Sequence, residues 1–209
     1  MKKFDALIFD MDGTLWDAVD SYCRVWNITF AELGIPATMD REALVRCMGM
    51  QIGDIFARIV NMPVDDEHFL KVLDKNEELL MPVLGGKLYP DVARLIPQLA
   101  KHCRLYMVSN CGSQGLHNFL RFTGLAPYFT DTLTFGQTHM SKDKNIEILR
   151  ERHHFTNPIY IGDTQGDCTA AHRAGIPMML AAYGFGTAPD AEYRADSFAE
   201  VANFFISRL

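Results

Sequence analysis

The sequence lacks any run of Lys and Arg, and its net charge of −6 argues against a nucleic-acid surface, which needs a basic patch. It lacks an apolar stretch of membrane-spanning length, so no membrane association is expected. The start, Met1-Lys2-Lys3-Phe4-Asp5, has no long apolar segment behind it and predicts no signal peptide. The five cysteines, Cys23, Cys47, Cys103, Cys111 and Cys168, are odd in number, widely spaced and without a C-x-x-C pair. That pattern excludes a disulfide framework and points to reduced thiols in a cytoplasmic protein. The seven histidines form no ligand pair four residues apart. There is no internal repeat and no low-complexity tract. What remains is an ordinary soluble composition, 48% hydrophobic and 22% charged, over 209 residues. That length builds one substantial core, or a core with a small accessory domain.

The first organised stretch is Phe4-Asp5-Ala6-Leu7-Ile8-Phe9-Asp10-Met11-Asp12-Gly13-Thr14-Leu15. Ala6 to Phe9 reads as a short buried strand that ends in two aspartates. Ligands bind at the carboxyl ends of strands in open α/β sheets, so Asp10 and Asp12 stand where chemistry is expected. Two residues apart on an extended chain, they would share a face. Gly13 permits a sharp turn after them.

From residue 16 to 84 the pattern is helical. Val19, Tyr22, Trp26, Phe30 and Leu33 make an amphipathic stripe stopped by Gly34-Ile35-Pro36. Further helices are expected from Arg41 to Met48, from Asp54 to Val60, and after a capping region at Asp65-Asp66, the last ended by Pro82 and Gly85-Gly86. No strand is expected in this block, which reads as a helical domain inserted between the first strand and the rest. Its domain limits are 16–84, leaving 1–15 and 85–209 as the core domain.

After Lys87 strands and helices alternate. Strands are expected at Cys103–Val108, Thr132–Phe135, Ile159–Ile161 and Met178–Leu180. Helices are expected near Val92–Leu99, Gln114–Thr123, Asp143–His153, Gly166–Ala174 and Phe198–Ser207. This is an α/β, Rossmann-like parallel sheet covered by helices on both faces. Parallel strands put their carboxyl ends on one edge, so Asp10 and Asp12, Ser109-Asn110, and Asp163 with Asp167 could converge there, with Lys142 opening a helix nearby.

Carboxylates gathered on one edge repel one another and are costly to bury unpaired. A divalent cation relieves this, and hard oxygen ligands with room for water suit Mg2+. Asp10 and Asp163 are the expected direct ligands. Bland readings stand beside these: Ser109-Asn110 as a helix cap, Asp167 as the cap of the helix that follows it, and Lys144 as a competitor of Lys142.

Four motifs, in order, resemble those of the haloacid dehalogenase-like hydrolases. They are Asp10-Met11-Asp12-Gly13-Thr14, Ser109-Asn110, Lys142, and Gly162-Asp163-Thr164-Gln165-Gly166-Asp167. The helical block falls where that family carries a cap, and the resemblance covers essentially the whole chain. It implies a phosphatase acting through an aspartyl-phosphate on Asp10, with Asp12 as proton donor and acceptor. Ser109, Asn110 and Thr14 would serve the phosphate or its loop, with Thr14 donating to Asp10 or the turn. Lys142 would supply charge to the phosphate and to Asp10. It also implies the backbone carbonyl of Asp12 as a metal ligand, with Asp167 holding a metal-bound water or a neighbour.

Asp12 separates the chain from the dehalogenases, which need no proton for a halide leaving group. A phosphosugar mutase is the alternative within the family. A phospho-receiver domain is the alternative outside it, disfavoured because its phosphate acceptor lies on a middle strand with no helical insert. The substrate expected is a small phosphorylated metabolite, phosphoglycolate-like or a sugar phosphate, since the chain most resembles the phosphoglycolate phosphatase branch. No obligate protein partner is expected. Trp16 and the segment Arg46 to Gln51 are candidate specificity residues.

Overall fold

The computed structural model describes residues 4–60 and 66–207. Strand β1 (Ala6–Phe9) is wholly buried. A turn carries the chain into β2 (Trp16–Asp17), then helices α1 (Val19–Glu32), α2 (Arg41–Val45), α3 (Ile52–Ile59) and α4 (Asp66–Leu84). Strand β3 (Lys87–Leu88) returns beside β2. The rest alternates: α5 (Val92–Leu99), β4 (Arg104–Ser109), α6 (Gly115–Thr123), a 3-10 turn (Ala126–Tyr128), β5 (Phe129–Thr134), α7 (Phe135–Thr138) and α8 (Lys142–His153). It closes with β6 (Pro158–Gly162), α9 (Gln165–Arg173), β7 (Met178–Ala181), β8 (Tyr193–Ala195) and α10 (Phe198–Ile206).

Six strands form a parallel sheet in the order β5-β4-β1-β6-β7-β8. The period of two along β1 divides the core. Leu7 and Phe9 join one apolar cluster, and Ala6 and Ile8 join the other. Both faces are therefore covered, as the apolar strands predict. Central β1 lies between β4 and β6, so the residues that follow all three emerge side by side.

Several boundaries differ from the sequence expectations. The block 16–84 was expected to hold no strand, yet Trp16 and Asp17 pair antiparallel with Leu88 and Lys87. A two-residue pairing has no periodicity to read. Pro82 does not end α4, which runs to Leu84. The stop is Gly85, whose φ of 57° lets its N–H reach the Met81 carbonyl. The expected strand end at Phe135 is the start of α7, because Thr134 and Gln137 form a reciprocal capping box. β8 was not expected, because its Tyr-Arg-Ala segment is short and mixed. Asp65 of the expected capping region lies outside the described residues.

The four helices between β2 and β3 are tied together by α1 against α4. Trp26, Phe30 and Phe56 each pack on Phe69 with ring centroids within 6 Å. A buried Asn76 on α4 donates to Thr29 Oγ1 at 3.0 Å and to Glu32 at 3.1 Å on α1. Asn110, just past β4, donates to the Gly49 carbonyl of the helical segment at 2.8 Å.

Candidate active site

Asp10 follows β1 directly, and its N–H bonds the Ile161 carbonyl of β6 at 2.8 Å. Its carboxylate accepts from Lys142 Nζ at 3.1 Å. Lys142 is the first residue of α8 and is 5% exposed, and its Nζ also reaches Asp167 Oδ1 at 2.5 Å. Lys144 pairs instead with Glu147, so of the two competing lysines it is Lys142 that reaches Asp10. Burial alone would lower the Lys142 pKa, but Asp10 and Asp167 beside it more than offset that and raise it well above the ordinary value.

Asp163 follows β6 and is fully buried. Its Oδ2 accepts the Phe185 N–H at 2.7 Å, while its Oδ1 has no hydrogen-bond partner among the described residues. Asp167 caps α9 with Thr164. One of its oxygens takes donors from Asp163 N–H, Thr164 N–H and Thr164 Oγ1, and the other takes Lys142. Capping and site geometry thus coexist in Asp167, which holds Lys142 in place.

Asp10, Asp163 and Asp167 each offer an oxygen, and these oxygens lie within 4.8 Å of one another. Burial, then Asp167 and Asp10, raises the Asp163 pKa well above the usual carboxylate range. An orphaned buried carboxylate oxygen beside two more carboxylates fits a hard divalent cation, because each unpaired charge is costly to bury. The carboxylate of Asp12 is not in this group. β1 ends at Phe9, so Asp10 and Asp12 do not lie on an extended chain, and a turn re-aims Asp12. In that turn Gly13 has a φ of 80° and its N–H bonds the Trp16 carbonyl.

Asp12 faces the cavity and accepts from Trp16 Nε1 at 2.9 Å. Burial, with Asp10 next, raises its pKa well above the usual range. Asp10 is raised less, to about 6, by burial that Lys142 partly offsets. The two carboxyls therefore differ in proton affinity because one has a cation partner and the other does not.

A cavity of about 70 Å³ opens over these residues. That is room for several waters or one small molecule. Asp10, Asp12, Ser109, Asn110 and Lys142 line it from the sheet edge, and Tyr22, Trp26, Met48, Gly49, Met50 and Glu77 from the helices. Of the expected segment Arg46 to Gln51, the middle residues form the wall, while Arg46 turns out to pair with Glu42. Trp16 does not line the cavity. Its ring packs on Phe119 and Phe122 at 1% exposure, and it meets the site through Asp12. Thr14 is also outside the cavity wall. Its hydroxyl has no partner among the described residues, so it donates neither to Asp10 nor to the turn. The Thr14 carbonyl instead accepts from Tyr183 Oη at 2.8 Å.

Ser109 is 5% exposed, with its Oγ 3.4 Å from the Cys111 N–H. Asn110 Nδ2 donates to the Gly49 carbonyl and so ties the sheet edge to the helical segment, while its Oδ1 has no hydrogen-bond partner among the described residues. Cys111 also lines the cavity, with its thiol pushed up chiefly by burial and so kept protonated. The sequence reading missed Glu77 and Tyr22. Both sit on otherwise apolar helical stripes, and a lone acid in such a stripe is the signal that could have marked Glu77.

The family described as haloacid dehalogenase-like hydrolase matches residues 7–181. A phosphoglycolate phosphatase of Aquifex aeolicus is 27% identical over 187 residues, covering 86% of this chain and 85% of that protein. A haloacid dehalogenase-like family hydrolase of Streptococcus pneumoniae superposes with a TM-score of 0.86 at 22% identity, covering 98% and 100% of the two chains. CbbY of Rhodobacter sphaeroides, solved with phosphate, superposes with a TM-score of 0.81 at 21% identity over 95% and 96%.

Proposed function

The chain belongs to the haloacid dehalogenase-like hydrolases, and from that premise we propose that it is a magnesium-dependent phosphatase of small phosphorylated metabolites. We propose further that 16–84 is a helical cap domain inserted into a core of 1–15 and 85–209. The β2–β3 pairing, which brings the two ends of the insert together, supports that division. Relatives named phosphoglycolate phosphatase support a phosphate monoester as the substrate class. Five free cysteines and the lack of a helix able to cross a membrane among the described residues are consistent with the cytoplasm.

The carrying observation is that Lys142 bonds Asp10 in the same buried cluster as Asp163, while Asp12 faces the same cavity without a cation. Asp10, with a pKa near 6, is ionised at neutral pH and attacks phosphorus. The bond from phosphorus to the leaving oxygen breaks as an aspartyl-phosphate forms. Asp12, held protonated by burial, gives its proton to that oxygen. It then takes a proton from the water that attacks the aspartyl-phosphate, releasing inorganic phosphate and restoring Asp10. Ser109 donates to the phosphate oxygens, and Lys142 offsets charge on the phosphate and on Asp10. Magnesium, held by Asp10, Asp163 and the Asp12 carbonyl with Asp167 behind them, would supply charge neutralisation at the phosphate. Asp167 orients Lys142, and Trp16 orients Asp12.

Asp10→Asn is the direct test. Turnover of p-nitrophenyl phosphate with magnesium is expected to fall by at least about a thousandfold, with an unchanged circular dichroism spectrum. A variant that keeps near wild-type turnover would remove Asp10 as nucleophile.

A further inference from the structure

Glu77 lies on α4 and faces the cavity from its helical wall. It is 7% exposed, and no hydrogen bond or ion pair holds its carboxyl among the described residues. Asp74, one turn earlier, approaches the same place. A Cβ added at Gly112 would lie 2.8 Å from Asp74 Oδ1 and 3.6 Å from Glu77 Oε2. The helical end of the cavity is therefore acidic.

Lys142 is the one Lys or Arg of the cavity wall among the described residues, and Asp10 and Asp167 already engage it. Much of the cavity wall that Glu77 shares is aromatic or aliphatic, with Tyr22, Trp26, Leu44, Ile52 and Ile55. A buried carboxyl with no partner is costly, and a donor arriving with a ligand removes that cost.

We propose that Glu77 receives the cationic head of the substrate, which is the phosphate monoester of a short amino alcohol. This inference rests on the phosphatase reading, but it departs from the acidic substrate named for the relatives and from the sugar phosphate expected from sequence. The phosphate end goes to Asp10, Ser109 and Lys142, and the amine end goes to Glu77.

An acidic tail, as in phosphoglycolate, would bury a second carboxyl beside Glu77 and Asp74 with no free cation to favour its charged form. A polyol tail would lose water from several hydroxyls against a largely apolar wall. A short hydrocarbon with one ammonium suits both the apolar wall and the single acid. Tyr22 and Trp26 in the same wall are of the side-chain type that attracts a cation.

The test compares kcat/KM of the full chain with magnesium on phosphoethanolamine, glycerol phosphate, phosphoglycolate and p-nitrophenyl phosphate. Phosphoethanolamine is expected to be preferred over glycerol phosphate and phosphoglycolate. A preference for either of those two over phosphoethanolamine, with p-nitrophenyl phosphate turned over, overturns this inference and leaves the phosphatase reading standing. No turnover of any of the four brings down both.

In Glu77→Gln the ratio of phosphoethanolamine to glycerol phosphate is expected to fall by about thirtyfold or more, mainly through KM. That is the low end of the effect of truncating one side of a buried ion pair. The ratio is read within one protein, so a smaller folded fraction cancels. An unchanged ratio overturns the assignment of Glu77.

Discussion

Asp10, Asp12 and Glu77 are all carboxyls in one cavity wall, and each holds its proton differently. Lys142 limits the rise of Asp10 to about 6. Asp12 has only the Trp16 indole to favour its charged form and rises further. Glu77 has neither, and burial, then Asp74, pushes it from 4.5 to about 8. The folded chain keeps the Glu77 proton where the unfolded chain has already released it. Stability therefore falls as pH rises between those two values. Glu77→Gln has no such proton. With no substrate present, its urea midpoint is expected to match wild type near pH 4. It should exceed wild type increasingly through the window and level off above pH 8, at a gain on the order of a few kcal/mol. A gain that shrinks as pH rises would refute the buried, unpaired state of this acid.

At the scale of elements, the turn after β1 does what the strand cannot. It sends Asp10 toward Asp163 and Asp12 toward the cavity, and it depends on Gly13. At a φ of 80° an L side chain is strained, and a Cβ there would overlap the Asp163 carboxylate. Gly13→Ala is expected to cost at least about 1–2 kcal/mol in urea unfolding from the backbone alone. It should also lower kcat sharply by displacing Asp163. Gly34→Ala is the control. It has a φ of 64° and nothing within 4 Å of the added Cβ, so it should show a backbone cost with kcat unchanged. Equal kcat losses in the two variants would mean that Gly13 has no special role at the site.

The elements themselves were unevenly legible. β1, α1 and β6 were readable because four to fourteen residues repeat an apolar pattern. β2, β3 and β8 were not, because two or three residues carry no period and exist only through their neighbours.

At the scale of the whole molecule, the site joins segments far apart in sequence: Asp10, Asp163 and Asp167 around Lys142, closed over by α1 and α4. Lys142 alone cannot balance three buried carboxylates, so a divalent cation that binds the folded state stabilises it by mass action. Saturating magnesium is expected to raise Tm by several degrees, equivalent to about 2–4 kcal/mol at 100 to 1,000 times Kd. Asp163→Asn should abolish most of that rise, and chelation should reverse it in the wild type. A wild-type Tm indifferent to magnesium would argue against the ligand set.

The sequence by itself determined the alternation of strands and helices and the helical run after the first strand, and it nominated Asp10, Asp12, Ser109, Lys142 and Asp163 as site candidates. Each of these rests on local order: an apolar run, a stop, and a polar group placed at a strand end or helix start. Tertiary structure decided what local order cannot carry. It put Lys142 rather than Lys144 between Asp10 and Asp167, turned Trp16 and Thr14 away from the cavity, and committed the Asn110 amide to Gly49. It also brought Glu77, from the middle of an ordinary amphipathic helix, to the cavity that Asp12 lines. A side chain's partners across space depend on how elements pack, and packing is a property of the whole chain at once.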